Sequence, residues 1–306
     1  RTPNPDVLCN REVKFDLFIK KAMELGAEYV ATGHHCQTDR IRQDGKEIYR
    51  LLAGTDPGKE QSYFLCQLNQ QQLSRVMFPI GHLHKSELRK IAEDQDLATA
   101  NRKDSQGICF VGKVDLPAFL QQKLSAREGD IIEIDKDAPV KYPASPDFCQ
   151  QYSSGELTEI TTAFHFEPAM GTWTGKHRGA HFYTIGQRKG LNVGGKAEPL
   201  FVLATDIQHN IVYVGQGHDH PGLNRYGLYI PRNDIHWIRE DLRMTVGEKR
   251  EYQVRIRYRQ PLQEACLYQE EEGLYMLFED AQRGITSGQF AAWYCEGELL
   301  GSGVIQ

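Results

Sequence analysis

The stretch "FDLFIKKAMELGAEYVATGHHC", residues 15–36, carries the pattern that decides the fold of the N-terminal third. Phe15, Phe18, Ile19 and Ala22 recur at the spacing of one helix face, and Gly26 follows as a stop. The next segment, "AEYVAT", is typical of a short buried strand, and it ends at a glycine followed by polar side chains. Open α/β sheets present ligand-binding groups at such strand ends, so the stretch predicts an α/β domain with a site at the sheet edge.

The segments that follow continue the alternation of strand and helix up to about residue 110. "KEIYRLLAG" predicts a strand, and "NQQQLSRVM" predicts a helix with Asn69 as its N-cap. "SELRKIAEDQDL" and "DLPAFLQQKL" predict two more helices, capped by Ser86 and Asp115. The order of these elements indicates an α/β domain.

From about Gly129 onward, short apolar segments separated by Gly, Pro and Asn predict a mostly β region. The clearest strand candidates are "YQVRIRYRQ", "GLYMLFED" and "QFAAWYCEGELLGSGVI". In the last of these, Glu296 and Gly297 form a hairpin turn signal between two apolar runs. Several short strands near a terminus indicate a small barrel or sandwich.

Composition and charge exclude several classes of protein. The 306 residues carry a net charge of −5, which argues against a protein that coats nucleic acid non-specifically but allows a local basic groove. No apolar run approaches the roughly 20 residues that a membrane span needs, so we expect no membrane partner. The seven cysteines form no Cys-x-x-Cys pair, which argues against structural zinc and favours a reducing, cytoplasmic location.

Cys9 is the first candidate for chemistry. Pro3 and Pro5 stiffen the chain before it, and we expect the thiol at or just before a helix N-terminus that Asn10 or a neighbour caps. The helix dipole favours the reactive thiolate there, and Asp6 is close enough in sequence to move a proton. The alternative is that Cys9 is a small apolar filler beside a Pro-rich turn.

Cys109 and the "GHHC" segment are two further candidates. Glycines near Cys109 would let a ligand approach the backbone, although a buried strand cysteine fits the same pattern. Three adjacent ligand types, His34 to Cys36, cannot easily wrap one metal ion. The segment favours a single histidine that reaches a phosphate or a base, with Gly33 giving a nucleotide room, over a metal site. The alternative is an ordinary polar loop at a strand end.

The segment "YQVRIRYRQ" is the basic feature of the C-terminal part. At the period of a strand, Arg255, Arg257 and Arg259 share one face and would form a strip that binds phosphates. The alternative is a solvated strand edge on which arginine discourages pairing with another chain.

An ordered set of motifs resembles one family, the tRNA-specific 2-thiouridylases. The matching blocks are "TPNPDVLCN", "ATGHH", "GKEQSYFL", "MFPIGHL", "RKIAE", "KDSQGICFVG", "YTIGQRKGL" and "RYRQ". The resemblance implies the remainder of an α/β adenylating domain of the PP-loop, adenine-nucleotide alpha-hydrolase-like type (residues 1–115). It further implies a small, mostly β central tRNA-binding domain (116–222), with an insertion near 136–177, and a C-terminal β-barrel (223–306).

The same resemblance implies the activity and the site. The family replaces the C2 oxygen of the wobble uridine with sulfur, using ATP with Mg and persulfide sulfur from a donor protein. Cys109 resembles the persulfide carrier, Cys9 the second catalytic thiol, Asp6 the acid/base and Gly33 a nucleotide contact. The partners implied are a sulfur-relay protein and the tRNAs for Lys, Glu and Gln. The positions that match tRNA contacts are Asn4, Pro5, Asp6, His34, Lys59, Glu60, Gln61, Arg257, Tyr258 and Gln289.

The family's Ser-containing, Gly-rich pyrophosphate loop has no counterpart in these 306 residues. We therefore expect this sequence by itself to be inactive in ATP-dependent thiolation. Two other functions stay open at this stage. One is a non-catalytic tRNA-binding module, and the other is a hydrolase that uses Cys9 and His34 as thiol and base.

Overall fold

The N-terminal helix starts earlier than the sequence pattern predicts. In the computed structural model, which describes residues 3–98, 100, 125–147 and 150–306, α1 (Pro5–Cys9) runs into a π-helical segment (Asn10–Leu17) and then α2 (Phe18–Glu24). Asn4 is the N-cap, since its side chain accepts a hydrogen bond from the Val7 amide at 3.3 Å. Proline is tolerated in the first turn because the missing N–H has no helical partner there. Cys9 is therefore the fifth helical residue, and the prediction that it lies at the helix N-terminus is wrong.

A short parallel strand pair follows the helix, as the α/β pattern predicts. Strand β1 (Val30–Ala31) pairs with β4 (Val76–Met77), and the hairpin of β2 (Cys36–Gln43) and β3 (Lys46–Ala53) lies between them in sequence. The predicted helix over "DLPAFLQQKL" and Cys109 lie outside the described residues.

Two short helices of this region allow the predicted caps to be checked. Helix α3 (Gln70–Leu73) has Asn69 as its cap, as predicted. Helix α4 (Lys85–Asp94) is capped by His84, so the prediction of Ser86 is wrong. The reason is local, because Glu87 accepts a hydrogen bond from the His84 amide at 2.8 Å and closes a capping box two residues earlier.

The central region forms a four-stranded sheet. Its strands are β5 (Gly129–Ile134), β6 (Gly171–His177), β7 (Leu200–Asp206) and β8 (Ile211–Gln216), in the order β6-β5-β8-β7. The predicted insertion near 136–177 includes β6, which pairs antiparallel with β5 and so completes one edge of this sheet.

The C-terminal region belongs to a nine-stranded sheet. Besides β2 and β3 it contains β9 (Asn224–Pro231), β10 (Ile235–Trp237), β11 (Lys249–Arg255), β12 (Gln263–Gln269), β13 (Gly273–Arg283), β14 (Phe290–Cys295) and β15 (Glu298–Val304). The predicted hairpin turn is present between β14 and β15, where Glu296 and Gly297 both have positive φ, +48° and +78°. Two consecutive positive φ values are what a tight turn between twisted strands requires.

The N-terminal hairpin extends this C-terminal sheet. Strand β3 pairs with β15, with Leu52 opposite Glu298 and Leu51 opposite Leu299. The Glu298 carboxylate lies between two guanidinium groups, 2.7 Å from Arg50 and 2.6 Å from Arg239. Helix α5 (Ser154–Thr161) packs on the same sheet against β9 and β13. Backbone pairing between β3 and β15 therefore joins the predicted domains 1–115 and 223–306. The limits of these domains stay a prediction.

Candidate active site

A cleft of about 650 Å³ lies where the N-terminal helix, the loop after β1 and the turn after β11 meet. The three segments are far apart in sequence, and only the tertiary fold brings them together. Among the residues that line the cleft are six of the predicted site residues: Asp6, Gly33, His34, Lys59, Gln61 and Tyr258.

Asp6 and Cys9 lie on one side of the first helix, because residues three apart are neighbours on a helix surface. Asp6 lies in the first turn and lines the cleft, and Cys9 is half-buried one turn later. The carboxylate and the thiol that the sequence predicts to cooperate are thus held by one rigid element. Cys109, the other predicted thiol, lies outside the described residues.

Three polar side chains form a stripe along this helix. Asp6, Asn10 and Lys14 are spaced by four residues and all line the cleft. Asn10 is not the helix cap that the sequence predicts; its Nδ2 donates to the Phe64 carbonyl at 3.1 Å. The stripe is a signal that sequence reasoning missed, because polar residues at every fourth position share one face of a helix.

His34 is a buried and neutral histidine. It packs between the rings of Phe15 and Phe78, with ring centroids 5.7 and 6.0 Å away, and its Nδ1 lies 2.8 Å from the Thr32 hydroxyl. Burial, followed by the nearby Lys14 charge and His35, lowers the pKa of His34 from 6.5 to about 3. A thiol–imidazole hydrolase needs a basic histidine, so this environment argues against His34 as the base of Cys9.

The loop "GKEQSYFL" closes one side of the cleft. Two hydrogen bonds join Gln61 to the end of the strand. The side-chain oxygen of Gln61 accepts from the backbone N–H of His35 at 3.0 Å, and the backbone N–H of Gln61 donates to the His35 carbonyl at 3.0 Å. Glu60 is only 5% exposed, and its carboxylate accepts from the Ser62 amide and pairs with Arg255. Lys59 is the residue of this predicted trio that combines a positive charge with a place on the cleft wall.

The predicted strip of three arginines does not form. Strand β11 ends at Arg255, which turns inward to Glu60, and the following residues form a turn. Arg257 donates to the Gly284 carbonyl, and Arg259 has a φ of +66° and lies over the Tyr258 ring at 5.3 Å. The period-two argument fails because the strand stops before the second arginine.

The remaining predicted RNA contacts lie beside the helix start. Asn4 donates from Nδ2 to Gln289 Oε1 at 3.4 Å, which joins two ends of the chain that are 285 residues apart. Pro5 is exposed in the first helical turn. Arg257 lies in the same C-terminal region, where burial and then the charge of Arg283 lower the pKa of its guanidinium. None of these four residues lines the cleft.

The cleft has the character of an anion site. Its charged lining consists of the carboxylate of Asp6 and four cations, namely Lys14, Lys59, Lys85 and Arg259. Gly33 leaves room at the strand end, since an added Cβ would meet only Ile80 Cδ1, at 3.9 Å. The residues present therefore fit a nucleotide or an RNA phosphate. Over the part of the chain that the structure describes, no cluster of acidic, His or Cys side chains could hold a metal ion.

The described residues contain no helix that is both long and apolar enough to span a bilayer.

Comparison with known proteins identifies three matched segments. Residues 1–113 match a family model described as the tRNA methyl transferase HUP domain. Residues 148–216 match the tRNA methyl transferase PRC-barrel domain, and residues 229–305 match an aminomethyltransferase beta-barrel domain. These matches confirm the predicted fold class, an α/β domain followed by two β-rich domains.

Similar proteins cover the whole chain. The tRNA-specific 2-thiouridylase MnmA of Flavobacterium johnsoniae is 55% identical over 305 residues, covering 100% of this chain and 77% of the relative. The protein with the same name from Christiangramia forsetii is also 55% identical, with the same coverage. That of Karelsulcia muelleri is 42% identical over 99% of this chain and 76% of the relative.

Proposed function

The chain belongs to the tRNA-specific 2-thiouridylase family, and we propose on this basis that it transfers sulfur to C2 of the wobble uridine of tRNA. The observation that carries the proposal is the convergence of Asp6, Gly33, His34, Lys59 and Tyr258 on one basic cleft beside Cys9. A bound RNA phosphate and a flipped-out base both fit a site with four cations and an aromatic wall.

In this proposal the N-terminal turn and helix hold the target base. Asn4 and Pro5 fix the helix start, and Asp6 and Cys9 then face the base from one side of the helix. Asp6 is placed to move a proton, and the basic lining offsets the charge of the RNA backbone. Neutral His34 can exchange hydrogen bonds with a ligand but brings no positive charge.

Nucleotide chemistry has a place at the strand end. Gly33, with Lys14 and Lys85 lining the same cleft, would hold the phosphates of Mg-bound ATP, and ATP would supply the adenylyl group that turns the C2 oxygen into a leaving group. The terminal sulfur of a persulfide on Cys109, loaded by a donor protein, would then attack C2 of the adenylated uridine, and AMP would leave with the former C2 oxygen. The Cys9 thiolate would attack the Cys109 sulfur of the resulting C2–S–S–Cys109 adduct, which breaks that S–S bond, leaves the outer sulfur on C2 as 2-thiouridine and joins the two cysteines in a disulfide.

Two thiol variants test the proposal. Cells that lack the intact protein are complemented with the intact protein in its wild-type, Cys9→Ser or Cys295→Ser form, and 2-thiouridine in the tRNAs for Lys, Glu and Gln is measured by mass spectrometry. We expect wild type and Cys295→Ser to restore thiolation, because Cys295 is exposed at the end of β14 and does not line the cleft. Cys9→Ser should restore less than about 1%, by analogy with the large losses when a catalytic nucleophile is removed.

The alternative is a tRNA-binding module without catalysis. It is favoured if Cys9→Ser restores thiolation as well as wild type does, since binding alone does not need the thiol. A wild-type protein that restores no thiolation in these cells would contradict both the sulfur-transfer proposal and its assignment of substrate.

A further inference from the structure

Asn10 is a buried polar residue of the cleft, and only one of its two side-chain polar atoms has a hydrogen-bond partner among the described residues. Its exposed fraction is 2%, and its Nδ2 donates to the Phe64 carbonyl at 3.1 Å. The Oδ1 atom accepts no hydrogen bond from any of the described residues. Because the Phe64 carbonyl can only accept, the amide nitrogen must face it, and the oxygen is the atom left without a partner.

A buried acceptor without a partner is a cost that folded proteins avoid. The oxygen is buried from solvent and has gained no donor among the described residues in exchange. An apolar residue of similar size would remove that cost if Asn10 served packing alone. The structure therefore points to a donor that arrives with a ligand.

The surroundings of Asn10 describe that ligand. Asn10 lines the cleft, directly follows Cys9 and lies one helix turn from Asp6. The rings of Phe64 and Tyr258, with centroids 4.3 Å apart, line the same cleft and offer an apolar wall for a flat ring. A planar heterocycle that carries a ring N–H could stack on this aromatic wall and donate a hydrogen bond to Asn10 Oδ1.

We propose that Asn10 Oδ1 accepts the N3–H of the target uracil ring and so selects uridine over cytidine at the position that is modified. This inference rests on the proposed function and adds a specificity-determining residue to it. Cytosine carries a lone pair at N3, so it would place two acceptors against each other at Oδ1. Methylation of uracil at N3 would remove the donor and add a steric clash.

The first test uses the wild-type intact protein and three RNAs. Anticodon stem-loops with uridine, cytidine or N3-methyluridine at the wobble position are titrated, and each Kd is measured by fluorescence anisotropy. We expect uridine to bind at least about tenfold more tightly than the other two, a factor that corresponds to about 1.4 kcal/mol. Equal binding of uridine and cytidine would overturn the inference, whatever the variants do.

The second test asks whether Asn10 carries the preference. In Asn10→Leu we expect the ratio of the cytidine Kd to the uridine Kd to fall to about 2 or less, because the acceptor for the N3–H is gone. Asn210→Leu is the control, because Asn210 is a buried asparagine whose amide groups are both partnered, by Ala180, Arg127 and Glu128. It should lower the melting temperature and leave the ratio unchanged.

The outcomes separate this inference from the proposed function. A loss in Asn10→Leu that is equal for all three RNAs would mean a structural role only, and it would overturn the inference while thiolation by wild type stands. An absence of thiolation by wild type would remove the proposed function, and the role of Asn10 with it.

Discussion

The buried ion pair between Glu60 and Arg255 gives a sharp test of how the cleft is held together. The two side chains are 5% and 12% exposed, with Arg255 Nη1 2.5 Å from Glu60 Oε2. The family resemblance predicts Glu60 as an RNA contact, whereas its position predicts that it braces the loop that carries Lys59 and Gln61. Replacing Glu60 with leucine distinguishes the two.

The expected magnitude follows from what Glu60→Leu leaves behind. Removing one partner of a buried pair typically costs about 3–5 kcal/mol, because the remaining charge is uncompensated. The Ser62 amide also loses its acceptor, which adds about 1 kcal/mol. The Tyr294 ring, 5.4 Å from the Arg255 guanidinium, offsets a small part of this loss.

The assay is urea unfolding followed by tryptophan fluorescence. Trp237 and Trp293 are 4% and 0% exposed in the nine-stranded sheet, so their emission reports on the region that holds the ion pair. The double variant Glu60→Leu/Arg255→Met removes both charges and should recover most of the loss. A parallel titration at low temperature, where the single variant stays folded, measures its Kd for tRNA.

The result that refutes the reasoning is specific. If Glu60→Leu changes the free energy of unfolding by less than about 1 kcal/mol and changes the Kd for tRNA by tenfold or more, Glu60 faces RNA and is not a brace. A large loss of stability that the double variant does not recover would show that the carboxylate matters through Ser62 and not through Arg255.

Three further predictions use the same structure. Burial lowers the pKa of His34 to about 3 in the folded protein, against 6.5 in the unfolded state, so the unfolded state binds more protons between these two values and the free energy of unfolding should fall as pH drops from about 6.5 to 3. In His34→Gln the free energy of unfolding, measured by urea unfolding at each pH, should fall less steeply over this range, and an unchanged slope would contradict the prediction. Gly33→Ala should lower ATP-dependent thiolation at least tenfold while shifting the melting temperature by less than about 2 °C, since the added Cβ would meet only Ile80 Cδ1, at 3.9 Å. Full activity of this variant would count against Gly33 as a nucleotide contact. Gly297→Ala should cost about 1–2 kcal/mol, because Gly297 has a φ of +78°, and a neutral result in urea unfolding would count against that strain.

Local patterns in the sequence were sufficient for much of the fold. The apolar spacing of Phe15 to Ala22 predicted the helix, and Gly26, with a φ of +88°, ends it. Asn69 caps α3, and the Glu296–Gly297 pair turns the last hairpin, as predicted. These features depend on residues within about four positions of one another, so a short window of sequence contains the whole cause.

The helix start and the arginine strip show where local patterns mislead. Cys9 was expected at a helix N-terminus, but Asn4 caps the helix five residues earlier, and proline fits the first turn. The alternation of Arg255, Arg257 and Arg259 was compatible with a strand, yet the strand ends at the first of them. At the helix start the cause is still local, because the cap and the proline lie within the first turn. At the arginine segment the strand ends at Arg255, which pairs with Glu60, 195 positions away.

The sequence by itself determined the order of the motifs, the α/β start, the β-rich remainder and the set of residues from which the site is drawn. Only the tertiary structure decided how those residues are used. It joins Glu60 to Arg255 across 195 positions and Asn4 to Gln289 across 285, and it leaves Asn10 Oδ1 without a partner among the described residues. The physical reason is that secondary structure follows from neighbours along the chain, whereas burial and the pairing of charges follow from which distant surfaces pack together.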